Sequence, residues 1–110
     1  MKKKKVIVLG AGMVGGVIAL DLSSDYDVTA ADRSKESLQA LKSKRIKTKQ
    51  YDLSDKKKLC NLVKDFDLVI GAVPGFMGFQ TLKTVIGAKK NVVDISFFPE
   101  DVWVVLLQLP

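Results

Sequence analysis

The sequence predicts an α/β fold, in which one doubly wound parallel sheet has helices on both faces. Short apolar runs alternate with helix-length segments, the first run ends in a glycine-rich turn, and 110 residues suffice for one domain only. The alternation reads β-α-β-α-β-α-β-α-β. Crossovers of this length give right-handed connections, and we predict the strand order 3-2-1-4-5.

The first strand and the first helix have the clearest patterns. Residues 6–9 are a continuous apolar run, as in strands that are buried on both faces of a parallel sheet. Residues 13–22 carry apolar side chains at helical spacing, namely Val14, Val17, Ile18 and Leu22. We therefore expect an amphipathic helix directly after the first strand.

The next elements alternate in the same way. Residues 27–31 predict a second strand, and Ser34 is a candidate N-cap for a helix that runs to about Lys42. Residues 46–51 alternate apolar and polar side chains less regularly, and they predict a weaker third strand.

The second half of the chain continues the pattern. A third helix begins after Ser54 or Asp55, either of which can cap it. Its buried side is predicted to consist of Leu59, Leu62 and Val63. Residues 67–72 predict the fourth strand, residues 78–87 a helix, and residues 91–95 the fifth strand.

The end of the chain breaks this alternation. Residues 102–109 are apolar at every position but one, and they follow the fifth strand too closely for an ordinary parallel crossover. They predict either a helix that Pro99 opens or an edge strand, and both need a cover. We divide the chain into a domain at 1–101 and an apolar tail at 102–110, and we expect a truncated chain or a contact between copies.

The chain is basic, with 18 Lys and Arg against 12 Asp and Glu and a net charge of +6. Two lysine runs stand out, at 2–5 and 56–58. Single-stranded nucleic acid usually needs aromatic groups among the cations, and beyond Tyr26 the aromatic residues lie away from both runs. We interpret the lysines as a solvated face, with a polyanion surface as the alternative, and expect no nucleic-acid partner.

Missing residue types exclude several kinds of chemistry. The chain has no histidine, which excludes Ser-His-Asp and Cys-His catalysis within it, and its one cysteine, Cys60, excludes an internal disulfide. We expect no metal site and assign no catalytic residue. The start of the chain does not resemble a signal peptide, and no stretch reaches the ~18 apolar residues of a membrane span. An unpaired Cys60 fits the cytoplasm, which is our expectation.

A glycine motif follows the first strand. Residues 10–15, Gly-Ala-Gly-Met-Val-Gly, match G-x-G-x-x-G between a predicted strand and a predicted helix. Gly10 permits a tight turn, Gly12 lets a pyrophosphate approach the backbone, and Gly15 allows close packing of helix and strand. The N–H groups at the start of the helix then face the phosphates. Residues 1–101 are therefore a predicted Rossmann-like dinucleotide-binding domain.

An acidic residue closes the second strand at the distance that this motif requires. Asp32 lies about 20 residues after the glycines and can accept hydrogen bonds from the adenosine ribose, while its charge repels a 2′-phosphate. This favours NAD over NADP. Arg33 is the counter-argument, because an arginine can bind a 2′-phosphate or stack on adenine.

The ends of the other strands supply further candidates, because ligands of open parallel sheets bind at the carboxyl ends of strands. Tyr51 and Asp52 follow the third strand and can edge an adenine pocket, although Asp52 is as well explained by a turn. Small residues after the fourth strand leave room for the nicotinamide ribose. The complete set of predicted cofactor-binding residues is Gly10, Gly12, Met13, Val14, Gly15, Asp32, Arg33, Asp52, Ala72, Val73, Pro74, Asp94 and Ser96.

Taken with the glycines, these segments resemble the N-terminal nucleotide-binding domain of the saccharopine dehydrogenase-like family, and within it the L-lysine dehydrogenases. The resemblance covers nearly all of residues 5–101. Its matching segments are 6–16, 28–34, 67–78 and 91–101. The last two, which contain Ala-Val-Pro-Gly and Val-Val-Asp-Ile-Ser-Phe, are more specific than the glycine motif.

The resemblance implies a two-domain oxidoreductase of amino-acid metabolism, whose second domain binds substrate and supports a homodimer. It implies oxidative deamination of L-lysine by hydride transfer to NAD. Pro74 and Gly75 would lie near the nicotinamide, and Asp94, Ser96 and Phe97 near the substrate. The alternative is a stand-alone NAD-sensing regulatory module without catalysis, similar to the ligand-sensing domains of potassium-uptake systems.

Overall fold

A five-stranded parallel sheet forms the centre of the molecule. The computed structural model describes residues 3–52, 55–73, 83–87 and 90–94. The strand order is β3-β2-β1-β4-β5, which confirms the predicted order and the parallel arrangement. The strands are β1 Lys5–Leu9, β2 Asp27–Asp32, β3 Lys47–Gln50, β4 Leu68–Gly71 and β5 Val92–Asp94.

The central strand β1 is buried on both faces, as its apolar run predicts. Val6 pairs with Val28 of β2 on one side and with Leu68 of β4 on the other. Ile7 and Leu9 belong to one apolar cluster, whereas Val6 and Val8 belong to a second. Because successive side chains of a strand point to opposite faces, β1 supplies the core on both sides of the sheet.

In the described part of the chain, three helices flank this sheet, α1 Met13–Leu22, α2 Lys35–Lys42 and α3 Lys56–Val63, and a helical segment spans 83–87. Helices α1 and α2 cover one face, where Ala19, Leu38 and Leu41 are buried. Helix α3 covers the other face, together with Val85 of the helical segment. The sheet is therefore doubly wound.

The N-caps of α2 and α3 follow the sequence prediction. The Ser34 hydroxyl oxygen accepts a hydrogen bond from the Ser37 N–H at 3.3 Å, and the Asp55 carboxylate accepts one from the Lys58 N–H at 3.1 Å. Both caps satisfy an N–H group that has no partner within the helix. Of the two predicted caps of α3, Asp55 performs this role; Ser54 lies outside the described residues.

Helix α1 has only half of the inner face that we expected. Ile18 and Leu22 pack against the apolar cluster on this side of the sheet. Val14 and Val17 are 60% and 62% exposed, and the buried residues of α1 are Gly15 and Ala19. The physical reason is close packing: Gly15 has to face β1, and the residue one turn later then faces the sheet as well. Leu20 and Met13 are also exposed, so the outer side of α1 carries apolar side chains as well.

Several predictions fall outside the described residues. These are most of the predicted helix at 78–87, the end of the fifth strand at residue 95 and the tail at 102–110. Among the described helices, none is both long and apolar enough to cross a bilayer.

Candidate functional site

A pocket of about 380 Å³ lies at the carboxyl edge of the sheet. It is bounded by the turn after β1, the first turn of α1, the end of β2, the start of α2 and the residues after β4. This is the edge where open parallel sheets bind ligands, beside the central strand from which the connections diverge. The lining residues are Gly10, Gly12, Met13, Val14, Gly15, Asp32, Arg33, Ser34, Ser37, Ala72 and Val73.

Gly10 forms the turn out of β1. Its φ of 102° lies in a region that L side chains rarely adopt. A Cβ placed on Gly10 would also lie 2.5 Å from the carbonyl oxygen of Ala72. The Gly10 N–H donates to the Ala31 carbonyl at 2.7 Å, which ties the turn to β2. Both the backbone conformation and the contact with the loop after β4 therefore require glycine.

Gly12 and Gly15 differ in what surrounds them. A Cβ on Gly15 would overlap the carbonyl oxygen of Gly10, so this glycine lets α1 approach the turn. A Cβ on Gly12 would meet nothing within 4 Å, because it would project into open space. Gly12 is also the N-cap of α1, and it provides no side-chain cap for the first N–H groups. The start of α1 thus offers backbone donors and an uncovered surface to a ligand.

The Asp32 carboxylate is held by two backbone donors. The Ala11 N–H donates to its Oδ2 at 2.7 Å, and the Ser34 N–H donates to its Oδ1 at 2.9 Å. Asp32 therefore connects the glycine turn to the start of α2 while it remains half-buried at the pocket. Each carboxylate oxygen has a further lone pair, so both can accept another hydrogen bond from a ligand.

The start of α2 also borders the pocket, which the sequence analysis did not anticipate. Ser34 was recognised only as a cap, and Ser37 was not selected, yet both line the pocket. The signal was present in the sequence: the N-cap of α2 lies two residues after the acidic residue, so the helix has to begin where β2 ends. The N-terminal ends of α1 and α2 consequently meet at one site.

Most of the predicted residues that lie in the described part come together here. Arg33, Ala72 and Val73 line the pocket with Met13 and Val14. Asp52 is not among the lining residues, and Tyr51 packs against the apolar cluster below α3. Asp94 is the last residue of β5. The predicted positions Pro74, Gly75, Ser96 and Phe97 lie outside the described residues.

The described residues do not include a cluster of three or more His, Cys, Asp or Glu that could hold a metal ion. The donors at the pocket are backbone N–H groups, hydroxyls and one guanidinium, and the Asp32 carboxylate is an acceptor. The donors fit phosphates, and the acceptor fits ribose hydroxyls.

Comparison with known families agrees with this geometry. Residues 6–105 match the model of the saccharopine dehydrogenase NADP-binding domain. The chain belongs to the saccharopine dehydrogenase family. The family resemblance predicted from the sequence is therefore confirmed, as a nicotinamide-dinucleotide-binding domain of oxidoreductases.

Two members of this family show how much of a longer protein the domain represents. The present chain is 30% identical to apo saccharopine dehydrogenase (L-Glu forming) from Saccharomyces cerevisiae, with a TM-score of 0.77 over 93% of this chain and 24% of that chain. It is 33% identical to the mitochondrial alpha-aminoadipic semialdehyde synthase of Rattus norvegicus, over 86% of this chain and 11% of that protein. The chain thus spans a quarter or less of these relatives.

The fold itself is more widely shared. The NAD(P)-binding domain of an exopolyphosphatase-related protein from Archaeoglobus fulgidus has a TM-score of 0.80 over 96% of this chain and 83% of that chain, at 17% identity. At this identity the likeness concerns the fold alone.

Proposed function

We propose that this chain is the cofactor-binding domain of an NAD-dependent oxidoreductase, which oxidatively deaminates L-lysine by hydride transfer to NAD. The observation that carries the binding part is the uncovered start of α1. Gly12 leaves open space beside the first N–H groups of that helix, and the Asp32 carboxylate lies at the same pocket.

In this proposal the backbone of the glycine turn binds the pyrophosphate. The N–H groups of the first turn of α1 donate to phosphate oxygens, and the partial positive charge of the helix end stabilises them. Asp32 accepts hydrogen bonds from the ribose hydroxyls of the adenosine. Its two backbone donors fix the carboxylate before the ligand arrives, which reduces the entropy lost on binding.

The nicotinamide half of the ligand extends from this pocket past Ala72 and Val73, which border it after β4. We place Pro74 and Gly75 beside that half, and Asp94, Ser96 and Phe97 between it and the substrate. When bound, NAD accepts the hydride from the amine-bearing carbon of the substrate. The role of the chain is to hold and orient the cofactor, and we assign it no catalytic residue.

The choice of NAD over NADP rests on Asp32. A 2′-phosphate on the adenosine ribose would lie against a carboxylate that backbone hydrogen bonds hold in place, so it would meet a like charge. Arg33 is exposed and, with Ser34, supplies donors that favour a 2′-phosphate. We give Asp32 the greater weight because its position is fixed, whereas an exposed arginine is flexible.

Calorimetric titration of the chain with NAD and with NADP tests the binding proposal. We expect NAD to bind more tightly, and we expect Asp32→Asn to narrow the difference because it removes the negative charge at nearly constant shape. Asp65→Asn, at an exposed position in the turn after α3, is the control, because it changes the net charge by the same +1 away from the pocket. If a folded sample binds neither dinucleotide at millimolar concentration, the proposal is wrong. If NADP binds more tightly than NAD, the assignment to Asp32 is wrong.

The substrate part of the proposal concerns a longer polypeptide, in which a second domain binds L-lysine and forms a homodimer in the cytoplasm. It is supported by the resemblance of residues 67–78 and 91–101 to L-lysine dehydrogenases. The test is NADH formation by a polypeptide that joins this chain to a substrate domain. Lysine should be oxidised faster than saccharopine, and the reverse order would contradict the assignment. The family match makes the regulatory-module alternative the weaker one.

A further inference from the structure

A second cavity lies at the opposite, amino-terminal edge of the sheet. It is an open groove of about 820 Å³, bounded by the starts of β1, β2 and β3 and by the turns that follow α1 and α2. Five cations line this basic groove: Lys3, Lys4, Lys5, Arg45 and Lys47. Two acidic residues, Asp27 and Asp67, also line it. The length of the strands separates it from the dinucleotide pocket.

Three of the five cations have structural partners. Lys3 donates to the Ser24 carbonyl at 3.3 Å, beyond the carboxyl end of α1, where a cation offsets the helix dipole. Lys47 forms an ion pair with Asp27 at 3.1 Å. The Lys5 ammonium lies 5.9 Å from the centre of the Phe66 ring. These three contacts explain the side chains without a ligand.

Lys4 and Arg45 are not explained in this way. In the described part of the chain, neither side chain has an ion-pair or hydrogen-bond partner. The Asp67 carboxylate nearby accepts the backbone N–H of Lys5 at 2.8 Å. The groove therefore keeps two cations whose charge the described acidic residues do not compensate.

Arg45 occupies a position that favours glycine. Its φ is 65°, and the turn after α2 is a Schellman motif: the Ile46 N–H donates to the Leu41 carbonyl at 3.2 Å, and the Arg45 N–H donates to the Lys42 carbonyl at 3.0 Å. Ile46 and Leu41 pack in the same cluster, as this motif requires. An arginine here is strained where glycine would not be, and such strain persists at functional positions.

Tyr26 adds an aromatic surface to the groove. It is 37% exposed and lines the groove with the lysines, although more than 20 residues separate it from the first lysine run along the chain. Tyr26 is the aromatic residue that the interpretation of the lysines as a solvated face left out, and the fold places it beside the first lysine run.

We propose that the basic groove binds a ligand that carries two or more phosphates next to an aromatic base. Lys4 and Arg45 contact the phosphates, with the planar guanidinium suited to two phosphate oxygens at once, and the base stacks on Tyr26. Free nucleoside polyphosphates and single-stranded nucleic acid share this chemistry. The proposal is independent of the function of the dinucleotide pocket.

Binding of GTP, of an oligothymidylate and of inorganic tripolyphosphate to the whole chain tests the proposal, at about 50 mM salt. Each titration is repeated with Gly12→Ala, whose added methyl group narrows the dinucleotide pocket, and binding at the basic groove should be unchanged in this variant. Arg45→Gly is the informative variant because it relieves strain, so a loss of binding cannot come from unfolding. We expect Arg45→Gly and Lys4→Ala each to weaken binding about threefold, and the double variant about tenfold.

Two further variants make the result specific. Tyr26→Leu should weaken binding of GTP or the oligonucleotide about fivefold or more and leave tripolyphosphate unchanged, because only the former carry a base. Lys57→Ala, on the other face of the sheet, should leave all three unchanged. Preference for GTP or for the oligonucleotide identifies the source. The proposal is overturned if neither binds, if Lys57→Ala weakens binding as much as Lys4→Ala, or if Tyr26→Leu has no effect.

Discussion

Gly12 and Gly15 both belong to the glycine motif, yet the structure predicts different consequences for their replacement by alanine. A Cβ at Gly12 meets nothing within 4 Å, and the φ of −71° suits alanine. Alanine is a poorer N-cap than glycine by several tenths of a kcal/mol, and it restricts the unfolded chain by about 0.4–1 kcal/mol. The two effects oppose each other, so Gly12→Ala should change the free energy of unfolding by less than about 0.5 kcal/mol.

Gly15→Ala should destabilise the fold instead. Its Cβ overlaps the carbonyl oxygen of Gly10, a backbone atom in a turn whose N–H is bonded to Ala31. Overpacking costs about 1–3 kcal/mol where side chains can adjust, and a backbone atom adjusts less, whereas the gain in helix propensity is at most about 1 kcal/mol. We expect a net loss of roughly 2 kcal/mol or more.

Gly12→Ala should weaken the binding of NAD although it leaves the stability of the fold nearly unchanged. The methyl group of Gly12→Ala fills the space through which the pyrophosphate reaches the N–H groups of α1, and we expect at least a tenfold weaker affinity, or about 1.4 kcal/mol. Urea unfolding followed by circular dichroism and calorimetric titration measure the two quantities. Gly16→Ala is the matched control: its Cβ would lie 3.6 Å from the Ala11 carbonyl oxygen, an ordinary contact, so folding and binding should both survive. If Gly12→Ala folds normally and binds NAD as tightly as the parent chain, the reasoning about the pyrophosphate is refuted.

Three side chains outside the glycine motif give further predictions, all measured by urea unfolding. Asp32→Ala should lower the free energy of unfolding by about 2–3 kcal/mol, since it leaves the buried Ala11 N–H without an acceptor; a loss below about 0.5 kcal/mol would contradict this. Lys90→Met should cost about 1 kcal/mol, because the Lys90 ammonium donates to the carbonyls of Lys64 at 2.8 Å and Phe66 at 3.0 Å, just after α3; an unchanged midpoint would show that water replaces it. Lys47→Ala should lower the free energy of unfolding by less than about 0.5 kcal/mol, because its ion pair with Asp27 is exposed to solvent. A larger loss would contradict this reasoning.

Features that depend on one local requirement were predictable from the sequence. A strand buried on both faces needs a continuous apolar run, and a tight turn into a helix needs glycine, so β1, α1 and the roles of Gly10 and Gly15 could be identified. The cap at Ser34 was predictable for the same reason, because its hydroxyl serves N–H groups only three residues away.

The sequence did not predict which of two apolar sides of a helix packs against the sheet. In α1 every residue except Asp21 is apolar or glycine, so hydrophobic spacing could not show that Gly15 and Ala19, rather than Val14 and Val17, face the sheet. The close approach of α1 to the sheet decides which side of the helix faces inward. In the sequence, the only sign of this approach is a pair of small residues, Gly15 and Ala19, one turn apart. The proximity of Tyr26 to the first lysine run is likewise set by the pairing of β1 with β2.

The two roles of Asp32 set a limit on how cofactor preference can change in this domain. The carboxylate that would repel a 2′-phosphate also accepts the N–H groups of Ala11 and Ser34, and so joins the glycine turn to α2. Removing the charge for the sake of NADP therefore also removes a support of the pyrophosphate site. A neutral acceptor such as asparagine can keep one of the two hydrogen bonds, but its amide group then opposes the second N–H. A change of preference that adds a cation beside Arg33 and retains Asp32 would leave both hydrogen bonds intact, and it should be the less destabilising route.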